Sequence, residues 1–206
     1  LLGGRPLIGW SIEVARDIPG ISDILVSTDS PDLAELARAS GAIAPWLRPV
    51  ELATDTATSV DVALHALDRY EAEQGPVDGL LLLQPTSPFR SRASVLRGIE
   101  LFREGQGRPV IGFSPAPCHP LWCFRIEGNT MKPFVDGGGP SLRSQDLPPA
   151  YVVNGAFYLV SPSDLRASRS FFSEDMVPLV MDAPGESIDI DTEQDWLHAE
   201  MTLALL

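Results

Sequence analysis

One isoleucine separates Asp189 from Asp191 in the run Ser187-Ile188-Asp189-Ile190-Asp191-Thr192-Glu193-Gln194-Asp195-Trp196. Alternate residues of an extended strand share a face, so the spacing predicts Ile188 and Ile190 turned into a core and both carboxylates turned out together. Two hard oxygen donors on one face are a place to hold Mg²⁺, while paired aspartates at a strand end also serve as caps and solvated turns. Thr192 is a good N-cap, and residues 193–205 read as a helix with acidic residues in its first turn, where the helix dipole favours them. The pair therefore falls between a strand end and a helix start, which is where open α/β sheets bind ligands.

A second group of polar residues follows an apolar run. Leu80-Leu81-Leu82-Leu83 predicts a central parallel strand covered on both faces. It stops at Gln84-Pro85-Thr86-Ser87-Pro88-Phe89-Arg90, where two prolines rule out both helix and ladder and hold Gln84, Thr86, Ser87 and Arg90 on a stiff turn. Residues 151–160 predict another strand, carrying Asn154-Gly155-Ala156-Phe157-Tyr158. Alternation places Phe157 in the core and leaves Tyr158 on the other face with a polar tip for a ligand. The net charge of −13 would repel an anionic substrate unless a bound cation and placed arginines offset it, which singles out Arg48, Arg90 and Arg143. That charge also excludes nucleic acid as a partner, since no basic patch could neutralise a phosphate backbone.

The elements that must position these groups alternate along the chain as in an α/β domain. The 206 residues, 44% apolar and 21% charged, read as one soluble domain with no apolar run long enough to span a membrane. A helix carries Leu7, Trp10, Val14 and Ile18 at helical spacing. Then come a strand at 23–27, a helix from Ser30-Pro31 to Gly41, a short edge strand within 42–49, and a helix from Ser59 to Gln74 ended by Gly75-Pro76. A helix at 94–104 and a strand at 109–113 complete another unit. Between Ser114 and Pro149 the composition shifts to proline, glycine and aromatic residues, which predicts an arm with short β segments at 121–126 and 131–134. A short helix after Ser161-Pro162, an exposed Phe171-Phe172 pair and a strand at 177–181 follow. Cys118 and Cys123 have no His or Cys partners at ligand spacing and read as free thiols of a reducing cytoplasm.

The QPTSP turn, Arg143-Ser144-Gln145-Asp146, the NGAFY strand and DIDTEQDW occur in that order, together with Gly4-Arg5-Pro6-Leu7 and Ser27-Thr28-Asp29-Ser30. Taken jointly they resemble the acylneuraminate cytidylyltransferases, also called CMP-sialic acid synthetases, and their bacterial relatives for legionaminic-type sugars. The resemblance covers essentially the whole chain. It implies a three-layer α/β/α nucleotidyltransferase fold with a mostly parallel mixed sheet, and a small protruding dimerisation arm at 114–150. The implied reaction is CTP plus a nine-carbon 2-keto sugar acid giving CMP-sugar and pyrophosphate. The anomeric hydroxyl attacks the α-phosphate in line, a task of positioning and of neutralising phosphate charge.

Carried over motif by motif, the resemblance makes Asp189 and Asp191 the catalytic, Mg²⁺-binding pair. It gives Arg48 and Ser59 to the nucleotide, and Gln84, Arg143, Gln145, Asn154 and Tyr158 to the sugar-acid pocket, with Arg143 as the fork for the sugar carboxylate. Ser59 also fits as a helix N-cap, Arg48 as a surface arginine, Asp29 as turn chemistry and Asp195 as a helix cap. Ser144 stands where the family pattern has a second arginine. The family opens with a strand and a glycine-rich basic loop that hold the triphosphate. This sequence starts just past that loop, and the natural protein is expected to carry the segment ahead of Leu1. The resemblance further implies a cytoplasmic homodimer whose protomers complete one another's sugar pockets. Two rival readings are a cytidylyltransferase for another 2-keto acid, such as the eight-carbon KDO or pseudaminic acid, and a non-catalytic nucleotide-sugar-binding domain lacking the phosphate loop.

Overall fold

The computed structural model describes residues 1–139, 141 and 143–206. Pro140, in the expected glycine-proline turn of the arm, and Leu142 lie outside the described residues. Six helices, α1 (Leu7–Ala15), α2 (Pro31–Ala39), α3 (Ser59–Gln74), α4 (Arg92–Glu104), α5 (Pro162–Ser168) and α6 (Glu193–Leu203), surround a four-stranded sheet. The sheet consists of β1 (Leu80–Leu82), β2 (Val110–Pro115), β5 (Tyr151–Val160) and β6 (Val177–Val180) in the order β1-β5-β2-β6. β5 pairs antiparallel with β1 and β2, and β2 pairs parallel with β6. Three strands therefore share one direction and β5 opposes them, which is the mixed sheet expected.

Alternation along the strands divides the core into two layers. Val110, Phe157, Leu159 and Leu179 face α1 and α4, packing with Val14, Ile18, Val95, Ile99 and Phe102. Ile111, Val160 and Tyr158 face α3 and α5, packing with Ala63, Leu165 and Phe171. The leucine run also splits as expected, Leu81 and Leu83 to the first layer, Leu80 and Leu82 to the second. Its expected central position does not hold, since among the described strands β1 ends the ladder and pairs only with β5. Two covered faces are written in a continuous apolar run; the number of neighbouring strands is not.

The expected strand at 23–27 and edge strand within 42–49 meet only at one parallel bridge, Leu25 to Ile43. The chain from Ile188 to Asp191 joins no ladder. It is held to the QPTSP turn by one backbone bond, from Ile190 N–H to the Thr86 carbonyl at 2.9 Å. A turn containing Pro85 and Pro88 cannot donate the further N–H groups that a ladder needs. Helix starts were more legible. Ser30 caps α2 and Thr192 caps α6, where Asp195 completes a capping box. The N-cap of α3 is Thr58, whose hydroxyl accepts from Asp61 N–H, so Ser59 is the first helical residue and not the cap.

Between β2 and β5 the chain leaves the sheet as an arm. β3 (Phe124–Glu127) and β4 (Thr130–Pro133) form an antiparallel hairpin with Ile126, Met131 and Phe134 more than two-thirds exposed. The feet of the arm meet where Ala116 N–H donates to the Ala150 carbonyl at 2.9 Å.

Gly98 sets the approach of α4 to the sheet, because a methyl group there would overlap the ring of fully buried Phe157. Gly98→Ala is expected to lower unfolding stability by about 1–3 kcal/mol through overpacking. Denaturant midpoints of the two proteins measure this directly, and an unchanged midpoint would show that the Phe157 ring can move aside.

Candidate active site

The site is organised by a distortion in β5. Ile111 pairs with Tyr158 and Phe113 with Val153, so the four residues Asn154 to Phe157 stand opposite Gly112 alone. Such a bulge bends a strand and re-aims its residues. Gly155 at its crest has φ +71°, a left-handed conformation natural to glycine. Close approach also requires glycine there. A Cβ on Gly155 would lie 3.3 Å from both Asp189 Oδ2 and Gln84 Oε1, and 3.5 Å from Ser87 Oγ. Three oxygens from two separate loops thus converge over a backbone with no side chain. Gly112 gives room from beneath, since a Cβ there would come within 2.6 Å of Asn154 Oδ1.

A bulge frees backbone groups from the ladder, and two side chains satisfy them. Asn154 Oδ1 accepts from Ala156 N–H at 3.0 Å, while its Nδ2 donates to Ser114 Oγ at 3.1 Å. Ser114 in turn donates to the Met181 carbonyl at 2.9 Å. The Ala156 carbonyl accepts from Arg90 Nε. Arg90 is only 6% exposed; it also donates to the Gln84 carbonyl and to Ser11 Oγ, the latter at 3.0 Å. One guanidinium therefore joins α1, the QPTSP turn and the bulge. Burial pulls its pKa down to about 10, opposed by the negative charge of Asp189, so it remains a cation at neutral pH.

The loop bearing Asp189 is fixed by a second buried charge. Glu186, 2% exposed, accepts from Ser91 N–H at 2.9 Å through Oε1 and from Ala183 N–H at 3.2 Å through Oε2, tying the loop to the start of α4. Ser87 donates to Asp189 Oδ1 at 3.3 Å. Ile188 and Ile190 enter one apolar cluster with Leu2, Phe89 and Ala199, so the inward turn of the two isoleucines holds without a ladder. Asp189 is half-buried and Asp191 exposed.

A cavity of about 420 Å³ opens over the bulge, and Gln84, Asn154, Tyr158 and Asp189 all line it. Four of the nine predicted site residues, from three separate motifs, thus meet. Tyr158 is braced by Phe171 and Phe172, with ring centroids 5.4 and 6.0 Å away. Burial first, then the charge of Asp189, raises its phenol pKa, which keeps the hydroxyl a donor. Phe171, expected exposed with Phe172, is buried for this packing. Arg48 is no surface arginine: its Nη2 pairs with Asp29 at 3.3 Å, its backbone N–H donates to the Thr28 carbonyl, and its buried Nε finds no partner among the described residues. Ser59 is exposed at the start of α3. Arg143 and Gln145 lie on the arm, both exposed and outside the cavity lining, with Arg143 paired to Asp146 at 2.7 Å. Asp195 serves the capping box, accepting from Thr192 N–H at 2.9 Å and from Asp191 N–H at 3.2 Å.

Sequence reasoning missed Gly155, Ser114 and Glu186, and took Arg90 for a substrate cation. Glycines inside two apolar strands, Gly112 and Gly155, were the available signal of a bulge; nothing local announces that Glu186 is buried. Arg90→Lys is expected to destabilise the fold by about 1–3 kcal/mol, because an ammonium cannot reach three divergent acceptors and leaves buried carbonyls unpaired. Thermal unfolding tests this, and a wild-type melting temperature in that variant would remove Arg90 from its structural role.

The sequence pattern of the family described as Cytidylyltransferase matches residues 1–106. The chain is 36% identical to the CMP-N,N'-diacetyllegionaminic acid synthase of Legionella pneumophila, over 100% of this chain and 88% of that protein. It is 32% identical to the N-acylneuraminate cytidylyltransferase of Streptococcus agalactiae serotype V, over 96% of this chain but 47% of that longer protein. Its fold matches a CMP:2-keto-3-deoxy-manno-octonic acid synthetase solved with CTP, at TM-score 0.70 and 15% identity, covering 100% of this chain and 90% of the other. With three of its motifs meeting at one cavity in an α/β/α frame, this chain belongs to the cytidylyltransferase family of nucleotidyltransferases.

Proposed function

We propose that this enzyme transfers CMP from CTP to a nine-carbon 2-keto sugar acid of the sialic or legionaminic type, releasing pyrophosphate. The observation that carries the reading is the meeting of Gln84, Tyr158 and Asp189 around the Gly155 notch. The names of the relatives at 36% and 32% identity support the substrate class. In this reading Gln84 and the Tyr158 hydroxyl orient the polyol, and Arg48, with a buried donor unpaired among the described residues, contacts the nucleotide together with Ser59. Asn154 holds the bulge and has one N–H left for the sugar.

Asp189 and Asp191 would hold Mg²⁺. Hard carboxylate oxygens suit that ion, which commonly takes one or two carboxylates and completes its coordination with water and phosphate. A bound Mg²⁺ would neutralise phosphate charge and acidify a coordinated hydroxyl. Ser87, Glu186 and the Asp195 cap hold the aspartate-bearing loop in place.

The exposed apolar arm, with Arg143 and Gln145 outside their own cavity, supports a homodimer in which each arm serves the partner's site. No helix of the described chain is long and apolar enough to cross a membrane, and we place the enzyme in the cytoplasm, where CTP is available.

Pyrophosphate release with CTP, Mg²⁺ and a panel of legionaminic, N-acetylneuraminic, pseudaminic and eight-carbon keto acids tests the reaction. Turnover is expected with a sialic- or legionaminic-type acid, and Asp189→Asn should reduce it roughly a hundredfold or more. Preferred use of an eight-carbon acid or of pseudaminic acid would replace the proposed substrate. The shared site has its own test: mixing inactive Asp189→Asn with inactive Arg143→Ala protein should restore part of the activity, because one hybrid site is intact. Silence of the mixture after confirmed subunit exchange would confine Arg143 to its own protomer.

A further inference from the structure

Two thiols stand at the first foot of the arm. Cys118 and Cys123 flank the 3-10 turn Pro120–Trp122, and both are exposed. Both donate to one acceptor, the His119 carbonyl, each with Sγ to O at 3.8 Å. A shared oxygen places the two sulfurs on the same side of the turn. They also act on each other: after burial, the charge and hydrogen bonding of Cys118 raise the Cys123 thiol pKa. The turn itself is closed by Trp122 N–H to the His119 carbonyl at 2.8 Å and by Cys123 N–H to the Pro120 carbonyl at 3.0 Å.

This turn is joined to the rest of the arm and to the cavity. The His119 ring accepts from Leu121 N–H through Nδ1 at 3.2 Å, which leaves Nε2 to donate to the Pro148 carbonyl at 3.1 Å on the second foot. Just upstream, Pro115 and Pro117 line the cavity mouth. The turn is thus bonded to the second foot through His119 and continues directly from Pro117 of the cavity lining.

We propose that Cys118 and Cys123 are a modification site, a dithiol that closes reversibly to an intramolecular disulfide and thereby narrows or widens the mouth of the cavity. The oxidant is hydrogen peroxide. The Cys118 sulfur attacks one peroxide oxygen, breaking the O–O bond and leaving a sulfenic acid, and the first water departs. Cys123 then attacks that sulfur, forming the S–S bond and releasing the second water. Two thiols and one peroxide become one disulfide and two waters, and a dithiol reductant reverses the change. Disulfides of this kind in a reducing compartment are transient and redox-sensing.

The disulfide stands on the thiol geometry alone, whereas its effect on sugar-acid binding rests on the proposed function, so the two are read separately. The whole protein is treated with hydrogen peroxide at equimolar to tenfold amounts, alkylated and weighed intact. A loss of about 2 Da with no alkylation at either cysteine is expected, restored by dithiothreitol, and abolished in Cys118→Ser and in Cys123→Ser. Full alkylation of both thiols after oxidation, or a disulfide only between chains, overturns the proposal. In turnover assays the oxidised protein should show a sugar-acid KM changed about threefold or more with the CTP KM constant, and Cys118→Ser should not respond to peroxide. A disulfide that forms without moving the sugar-acid KM overturns its effect on the mouth. A protein inactive with every sugar acid, yet forming the disulfide, places the failure in the proposed function.

Discussion

The hydrogen bonds of one buried guanidinium decide whether the site can exist. Four residues of β5 stand against a single glycine of β2, and the peptide groups this releases lie in the core, where an unpaired carbonyl or amide costs on the order of 1–3 kcal/mol. Arg90 takes the Ala156 carbonyl and Asn154 takes the Ala156 amide. Because Arg90 also takes the Gln84 carbonyl and Ser11, the same three contacts that make the distortion tolerable also locate the QPTSP turn. Scaffold and site share these bonds.

Burying a cation is itself unfavourable, as the lowered pKa of Arg90 records, and the arrangement offsets it with three oxygen acceptors and a nearby carboxylate in Asp189. Glu186 repeats the device with opposite sign at the start of α4. These two inward charges contrast with the surface of a chain whose net charge is −13, a field that opposes a triphosphate and a carboxylated sugar. Attraction for such ligands has to come from local cations. Among them Arg48, anchored beside Thr28 and Asp29, is partly withdrawn from solvent and so less screened than an exposed side chain.

Much of the fold was legible because it is carried by local patterns. The leucine run, the cap before α6 and the proline-stiffened turn each announce themselves in a few residues, and all three are present. Where sequence reading failed, a long-range partner decided the outcome. The segment from Ile188 to Asp191 keeps both isoleucines in the core yet makes no strand, because its neighbour is a turn with two prolines. Thr58, not Ser59, caps α3, a one-residue difference within two equally suitable hydroxyls. Arg90 reads as a ligand contact beside a strand-end turn, and only the carbonyl freed by a strand more than sixty residues later turns it inward. Four residues of the cavity lining, Gln84, Asn154, Tyr158 and Asp189, stand in motifs that the sequence displays, but the reason they meet, a glycine facing oxygens from two loops, was not visible in any one of them.

The bulge also bears on how such a chain can diverge. A side chain added at Gly112 strikes Asn154, one added at Gly155 crowds Asp189 and Gln84, and Arg90 and Asn154 each satisfy a peptide group that exists only because the bulge does. No member can change alone without a clash or an orphaned polar group, so these positions are epistatically bound and accessible single-step variation is closed to them. Exposed rim residues such as Val152 and Pro115 carry no such debt to their neighbours. Evolutionary adjustment of what the cavity admits is therefore channelled to its mouth, while the chemistry beneath is inherited as a block.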